Sequence, residues 1–189
     1  MRLPSSRVLG LVLAGAWVLH ASTKSGVHLQ EMLWLCHVAT ALMAIGLLVG
    51  ARRVAAAGFL FHPGFGTLAW LLDAVAMRET TPSSLLIHLL PLVIGSVEVR
   101  RNGWPRGLVL PAWLFFTGCV LVSRWVTDPA LNVNLSHAAW GPLASLTGGV
   151  WVAGALNSAT MLGGFLLTNA VLRRVTERPR SVAAPPVPP

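Results

Sequence analysis

The chain has 189 residues, of which 54% are hydrophobic and only 11% charged, with a formal net charge of +8 and a mean hydropathy of +0.69. A soluble domain needs roughly a quarter of its residues charged to face water, so this composition excludes one. The positive charges fall in the gaps between apolar runs, where they carry topology rather than a nucleic-acid stripe, and no nucleic-acid partner is expected.

Six apolar runs follow in chain order: Val8–Ala21, Met32–Val49, Val54–Met77, Leu85–Val97, Leu108–Val126 and Thr147–Leu172. A helix crosses the hydrocarbon core with about 20 apolar residues. The second, third, fifth and sixth runs meet that length. The fourth is short unless Thr81–Ser84 and Glu98 extend its helix. The first follows Arg2 and Arg7 and has the look of a signal peptide. However, His20-Ala21-Ser22-Thr23 is a poor cleavage site, so the run is read as a retained helix. Near the middle of the third run, His62-Pro63-Gly64-Phe65-Gly66 predicts a kink or break, since proline removes a backbone donor and crowds the preceding turn.

The expected fold is therefore an all-α polytopic membrane bundle of about six transmembrane helices in one domain, residues 1–177. The Pro/Ala-rich segment 178–189 is expected to be a disordered cytoplasmic tail. Alternating the six helices from a cytoplasmic N-terminus puts 11 of the 14 positive charges inside and leaves only Lys24, Arg78 and Arg124 outside. This is the asymmetry of the positive-inside rule. Both termini are then cytoplasmic, and the plasma (inner) membrane is the expected location. Gly (18 residues) and Trp (8 residues) suit such a bundle, because glycine lets helices approach closely and tryptophan favours the interface. Trp34, Trp70, Trp125 and Trp140 are read as interfacial anchors.

These directions give every polar residue a depth. Cys36 and His37 lie about one turn below the outer surface, and His88 lies at a similar depth, roughly 5–8 Å in at 1.5 Å per residue. Asp73, Arg124, Asp128, Asn132, Asn134 and His137 gather at the same face, with His20, His28 and Glu31. Only His62 among the six histidines lies deeper. Ionisable groups inside a membrane are costly and mark functional sites. Cys36, His37 and His88 are the strongest such candidates. Arg124 also fits a snorkelling helix end, Asp73 a partner for Arg78 or Arg124, and His62 a group that satisfies the broken backbone. The two cysteines, Cys36 and Cys119, fall in apolar runs, so neither a disulfide framework nor a thiolate zinc site is expected.

The segments Leu33-Trp34-Leu35-Cys36-His37-Val38-Ala39, Ser84-Leu85-Leu86-Ile87-His88 and Thr127-Asp128-Pro129-Ala130-Leu131-Asn132-Val133-Asn134-Leu135, followed by Gly141-Pro142 and Trp151, resemble the YwaF-like bacterial integral membrane proteins. These are related to a mammalian transmembrane lipid acyltransferase. The likeness spans roughly residues 30–155. The family's Leu-Pro-Leu-His-Leu-Cys-Asp motif aligns its cysteine with Cys36, its later histidine with His88 and its Asn-Tyr pair with Asn134-Leu135. Trp34 replaces the motif's histidine, His37 replaces its acid, and the chain has no tyrosine.

The resemblance implies acyl transfer on membrane lipids without a cofactor or metal. Cys36 would be the nucleophile and His88 its base. Asn134 or Arg124 would stabilise an oxyanion or hold a phosphate, with His37 and Asp73 also contacting substrate. Two other readings stay open. One is a non-enzymatic lipid or small-molecule binding or transport protein, favoured by the interrupted third helix. The other is haem or metal binding through His37 and His88, although no H-x-x-E-H or H-E-x-x-H motif is present.

Overall fold

The computed structural model describes residues 4–77, 80–140 and 148–177. Among them all regular structure is helical: α1 (Ser6–Ala21), a 3-10 segment (Gly26–Leu33), α2 (Leu35–Val49), α3 (Arg52–Phe61), a π-helical turn (His62–Gly66), α4 (Thr67–Met77), α5 (Pro82–Asn102), α6 (Val109–Val126), two single 3-10 turns (Pro129–Leu131 and Val133–Leu135) and α7 (Val150–Thr176). Arg2, Arg78, Arg178, Arg180, Gly141-Pro142 and the tail 178–189 lie outside the described residues.

About six spans were expected from the apolar runs. Four helices are long and apolar enough to cross a membrane: Arg52–Ala76, Pro82–Asn102, Val109–Val126 and Val150–Thr176. A fifth is reached if Gly26–Leu33 and Leu35–Val49, bent by 67° from one another, count as one span. Helix α1 is apolar but only 16 residues long. It nevertheless packs along both α2 and α5, burying Leu13 and Ala16, and Trp17 Nε1 donates to the His37 carbonyl (3.0 Å). The fourth apolar run is extended at both ends, from Pro82 to Asn102. Thr81 caps it by accepting from the Ser84 N–H, which satisfies a donor that the first turn leaves orphaned.

The expected kink at His62–Gly66 takes the form of a π turn, and Arg52–Ala76 remains one continuous span. Pro63 has no N–H to give the Phe59 carbonyl, and the His62 N–H turns to that carbonyl instead. The Thr67 N–H then reaches back five residues to the His62 carbonyl. The turn absorbs one residue of slack, so the backbone groups are satisfied without breaking the helix.

Glycines set the closest approaches. Helices α2 and α3 form a tight pair in which a Cβ on Gly58 would lie 2.5 Å from the Ala39 carbonyl oxygen. Helix α7 crosses the π turn where a Cβ on Gly164 would lie 1.7 Å from the Gly64 carbonyl oxygen. Around this crossing Phe61, Phe116 and Phe165 pack as an aromatic core, with Phe61 and Phe116 centroids 4.7 Å apart. Few other α7 side chains are buried, and Trp113 and Trp104 tether the helix by donating to Ser158 and Asn169. Gly164→Ala is therefore expected to cost about 1–3 kcal/mol, the usual range for overpacking a rigid contact. Thermal unfolding in detergent would measure it, and an unchanged midpoint would contradict this packing.

The bundle has two distinct ends. At one, Arg52 and Arg53 donate to the carbonyls of Asn102 and Gly107. There too Arg101 donates to the Pro4 carbonyl (2.5 Å), and Arg106 pairs with Glu177 at 3.3 Å. This arginine end also has a cavity of about 280 Å³ lined by Gly46, Phe59, Gly95, Glu98 and Trp104, among others. The opposite end gathers Lys24, Glu31 and the loop 127–140, and the buried histidines lie just beneath it.

Candidate functional site

Four histidines from four segments are buried near that end: His20 closing α1, His37 on the first turn of α2, His62 in the π turn and His88 on α5. His62 is 0% and His88 2% exposed. The segments that carry them pack on one another. The His20 and His37 rings are 4.8 Å apart, tilted by 53°.

A proline explains why a hydroxyl lies among them. Pro91 inside α5 offers no N–H to the carbonyl four residues back, that of Ile87. The Thr40 hydroxyl, arriving from α2, donates to it at 3.1 Å. The same hydroxyl lies 2.9 Å from the Cys36 carbonyl and 3.2 Å from His62 Nε2. Its single hydrogen is shared between the two carbonyls, so at His62 it accepts. That makes Nε2 the protonated nitrogen of His62 and leaves Nδ1 a bare lone pair, which is buried with no partner.

The tautomers of His37 and His88 follow from the same rule. His88 Nδ1 lies 2.8 Å from the Ser84 carbonyl and His37 Nδ1 lies 2.7 Å from the Glu31 carbonyl. A carbonyl only accepts, so both Nδ1 atoms carry hydrogen and both Nε2 atoms present lone pairs. His88 Nε2 is buried and unpartnered. Its ring is further held by Trp70, stacked at 4.5 Å and 13°, whose indole N–H donates to the Ser84 hydroxyl (3.1 Å). Trp70, expected as an interfacial anchor, thus forms a wall of the site.

Cys36 is the second residue of α2, with Sγ beside the N–H groups of Cys36 and His37. The thiol and His88 do not form a hydrogen bond in this structure, since His88 Nδ1 is engaged by Ser84 and Nε2 has no partner. Cys36 and Cys119 are both free thiols.

The other expected contact residues are used differently. Asn134, in a left-handed backbone conformation (φ +59°), reaches from the loop after α6 to the start of α2. Its Oδ1 accepts from the Leu35 N–H (2.8 Å), and its amide donates to the Leu33 carbonyl (2.9 Å) and the Ser123 hydroxyl (2.7 Å). Both amide hydrogens are committed, so none remains for an oxyanion. Arg124 donates to the Ser136 carbonyl (2.5 Å) and lies 4.5 Å over the Trp151 ring, fastening the loop to α7. Asp73 accepts from Trp140 Nε1 (3.1 Å) on an exposed face of α4. Asp128 and Asn132 hold the loop's own turns together. Of the six expected site residues, His37 and His88 belong to the buried histidine group, and Cys36 is the neighbour of His37 on the first turn of α2; Asn134 positions the start of that helix, and Asp73 and Arg124 bond elsewhere.

Sequence reasoning missed Thr40, Trp70 and Ser83 as neighbours of these residues, and placed His20 at the same face without its contact with His37. Pro91 was the one available signal, since an in-helix proline demands a foreign donor, but it does not say from where. Among the described residues no three of His, Cys, Asp or Glu converge as a metal-binding group. Compared with protein-family models, with curated proteins and with solved structures, the chain matches none.

Proposed function

We propose that this chain is a membrane lipid acyltransferase of the YwaF-like type, using Cys36 as nucleophile and His88 as base. It crosses the plasma membrane about six times, with both termini cytoplasmic and the histidine end facing out. The charge asymmetry supports this orientation, because the arginine-rich end is then the cytoplasmic one. The packing of α1 along α2 and α5 supports counting it as a span.

One observation carries the chemical reading. His88 has its Nδ1 hydrogen committed to a backbone carbonyl and a bare, buried Nε2, on a helix in contact with the α2 turn just below Cys36. A fixed tautomer with a free lone pair is what a general base requires. In the reaction, His88 Nε2 takes the Cys36 proton and the thiolate attacks a lipid ester carbonyl. Collapse of the tetrahedral adduct expels the lysolipid alkoxide, which takes the proton from His88. The thioester is then attacked by an acceptor hydroxyl, whose proton again passes to Nε2 and on to the departing thiolate. The Leu35, His37 and Val38 N–H groups are already bonded, to Asn134 and to the Trp34 carbonyl, so the Cys36 N–H is the donor that the first turn of α2 offers to the oxyanion. Thiol and imidazole close their gap when lipid enters, as catalytic hydrogen bonds often tighten only in the complex.

The test is acyl exchange in proteoliposomes containing a phospholipid with a labelled acyl chain and a lysophospholipid acceptor. Label should move to the acceptor, a hydroxylamine-sensitive acyl adduct should map to Cys36, and Cys36→Ala should abolish both. Full exchange by Cys36→Ala, or no exchange by the unaltered chain, would overturn the assignment.

A further inference from the structure

The bare nitrogens of His62 and His88 lie in an apolar interior, where an unpaired acceptor costs free energy. A structure that keeps two of them close beneath one end implies a use for the lone pairs. Among the buried histidines outside the proposed chemistry, His20 connects that interior to the surface. Its Nδ1 lies 2.9 Å from the Ser83 hydroxyl, which lies 3.2 Å from the exposed Thr81 hydroxyl. On its inner side its ring meets His37 at 4.8 Å.

The groups around His20 are compatible with passing a proton. Lys24 and Glu31 are paired with one another at the surface, and His28 Nδ1 lies 2.6 Å from the same carboxylate. His37 faces His20 from α2, Ser83 from α5, and His88 and the π-turn His62 lie deeper in the same group. On the other side of the group the apolar side chains Met43, Phe59 and Phe61 are buried, and Met43 and Phe59 also line the cavity at the arginine end.

We infer that His20 and Ser83 form a proton port, the route by which the buried histidine group exchanges protons with water at the histidine end. Ser83 passes a proton to His20 Nδ1 and is reprotonated by solvent; His20 releases its Nε2 hydrogen inward, toward the bare nitrogens. Ring reorientation then restores the starting tautomer. Return of a proton follows the same steps in reverse, so no other reactant is needed. In the proposed reaction this port lets His88 equilibrate between turnovers, but the inference does not depend on acyl transfer.

The test reads proton exchange, not turnover. The full chain, labelled with 15N-histidine in phosphatidylcholine nanodiscs, gives by NMR the rate at which the His88 Nε2 nitrogen exchanges a proton with water. Ser83→Ala and His20→Phe should each slow that exchange at least tenfold, whereas His28→Phe, at the surface and off the route, should leave it unchanged. Unchanged exchange in Ser83→Ala overturns the port, and that variant alone decides if His20→Phe does not fold. Equal slowing by His28→Phe also overturns it, because the effect would then not be specific to the route. Loss of acyl transfer with exchange intact would count against the catalytic reading only.

Discussion

His88→Asn is expected to lower acyl exchange by about 10²–10⁴-fold, the usual contribution of a positioned general base. Asparagine keeps a donor near Nδ1, so the bond to the Ser84 carbonyl survives while the lone pair at Nε2 disappears. Stacking on Trp70 is weakened, and a modest loss of stability, on the order of 1 kcal/mol, accompanies the change. The two effects separate in measurement: initial rates report the base, and detergent melting reports the packing. A fall of less than tenfold in rate, with the fold intact, would remove His88 from the base role.

Asn134→Ala carries the largest expected stability effect. It strips a partner from the Leu35 N–H, from the Leu33 carbonyl and from the Ser123 hydroxyl at once. Each buried group left unpaired costs about 1–3 kcal/mol, and alanine is also less at ease than asparagine at a positive φ. A loss of roughly 3 kcal/mol or more is expected, measured by thermal or denaturant unfolding. The start of α2 is where the damage should concentrate, so Cys36 should label faster with a water-soluble maleimide than in the unaltered chain. Unaltered unfolding and labelling would show that the loop does not hold that helix.

The helical spans were legible because hydropathy and length are local properties. A run such as Leu108–Val126 is read directly, and the observed helix, Val109–Val126, differs by one residue. The kink position was also legible, since His62-Pro63-Gly64 has no ordinary helical solution, but its form was not. Whether a proline produces a break or a π turn depends on which nearby N–H groups can reach the freed carbonyls. That the histidines fall toward one end of their helices was legible too, because rise per residue converts sequence position into position along a helix. Their facing directions were not. Asp73 and Arg124 lie toward the same end yet point to Trp140 and to Ser136, and position along a helix alone does not distinguish these outcomes.

By itself the sequence determined that the chain is helical and apolar enough for membrane spans, roughly where those helices lie, and that ionisable groups cluster toward one end. Only the tertiary structure decided that Thr40 would replace the donor Pro91 lacks, that Trp70 would wall His88, and that Asn134 would cap α2 from a hundred residues away. The physical reason is the same in each case. A backbone or ring atom left without a partner must be satisfied by whatever group the fold brings within about 3 Å, and that neighbour is chosen by how the helices rotate against one another.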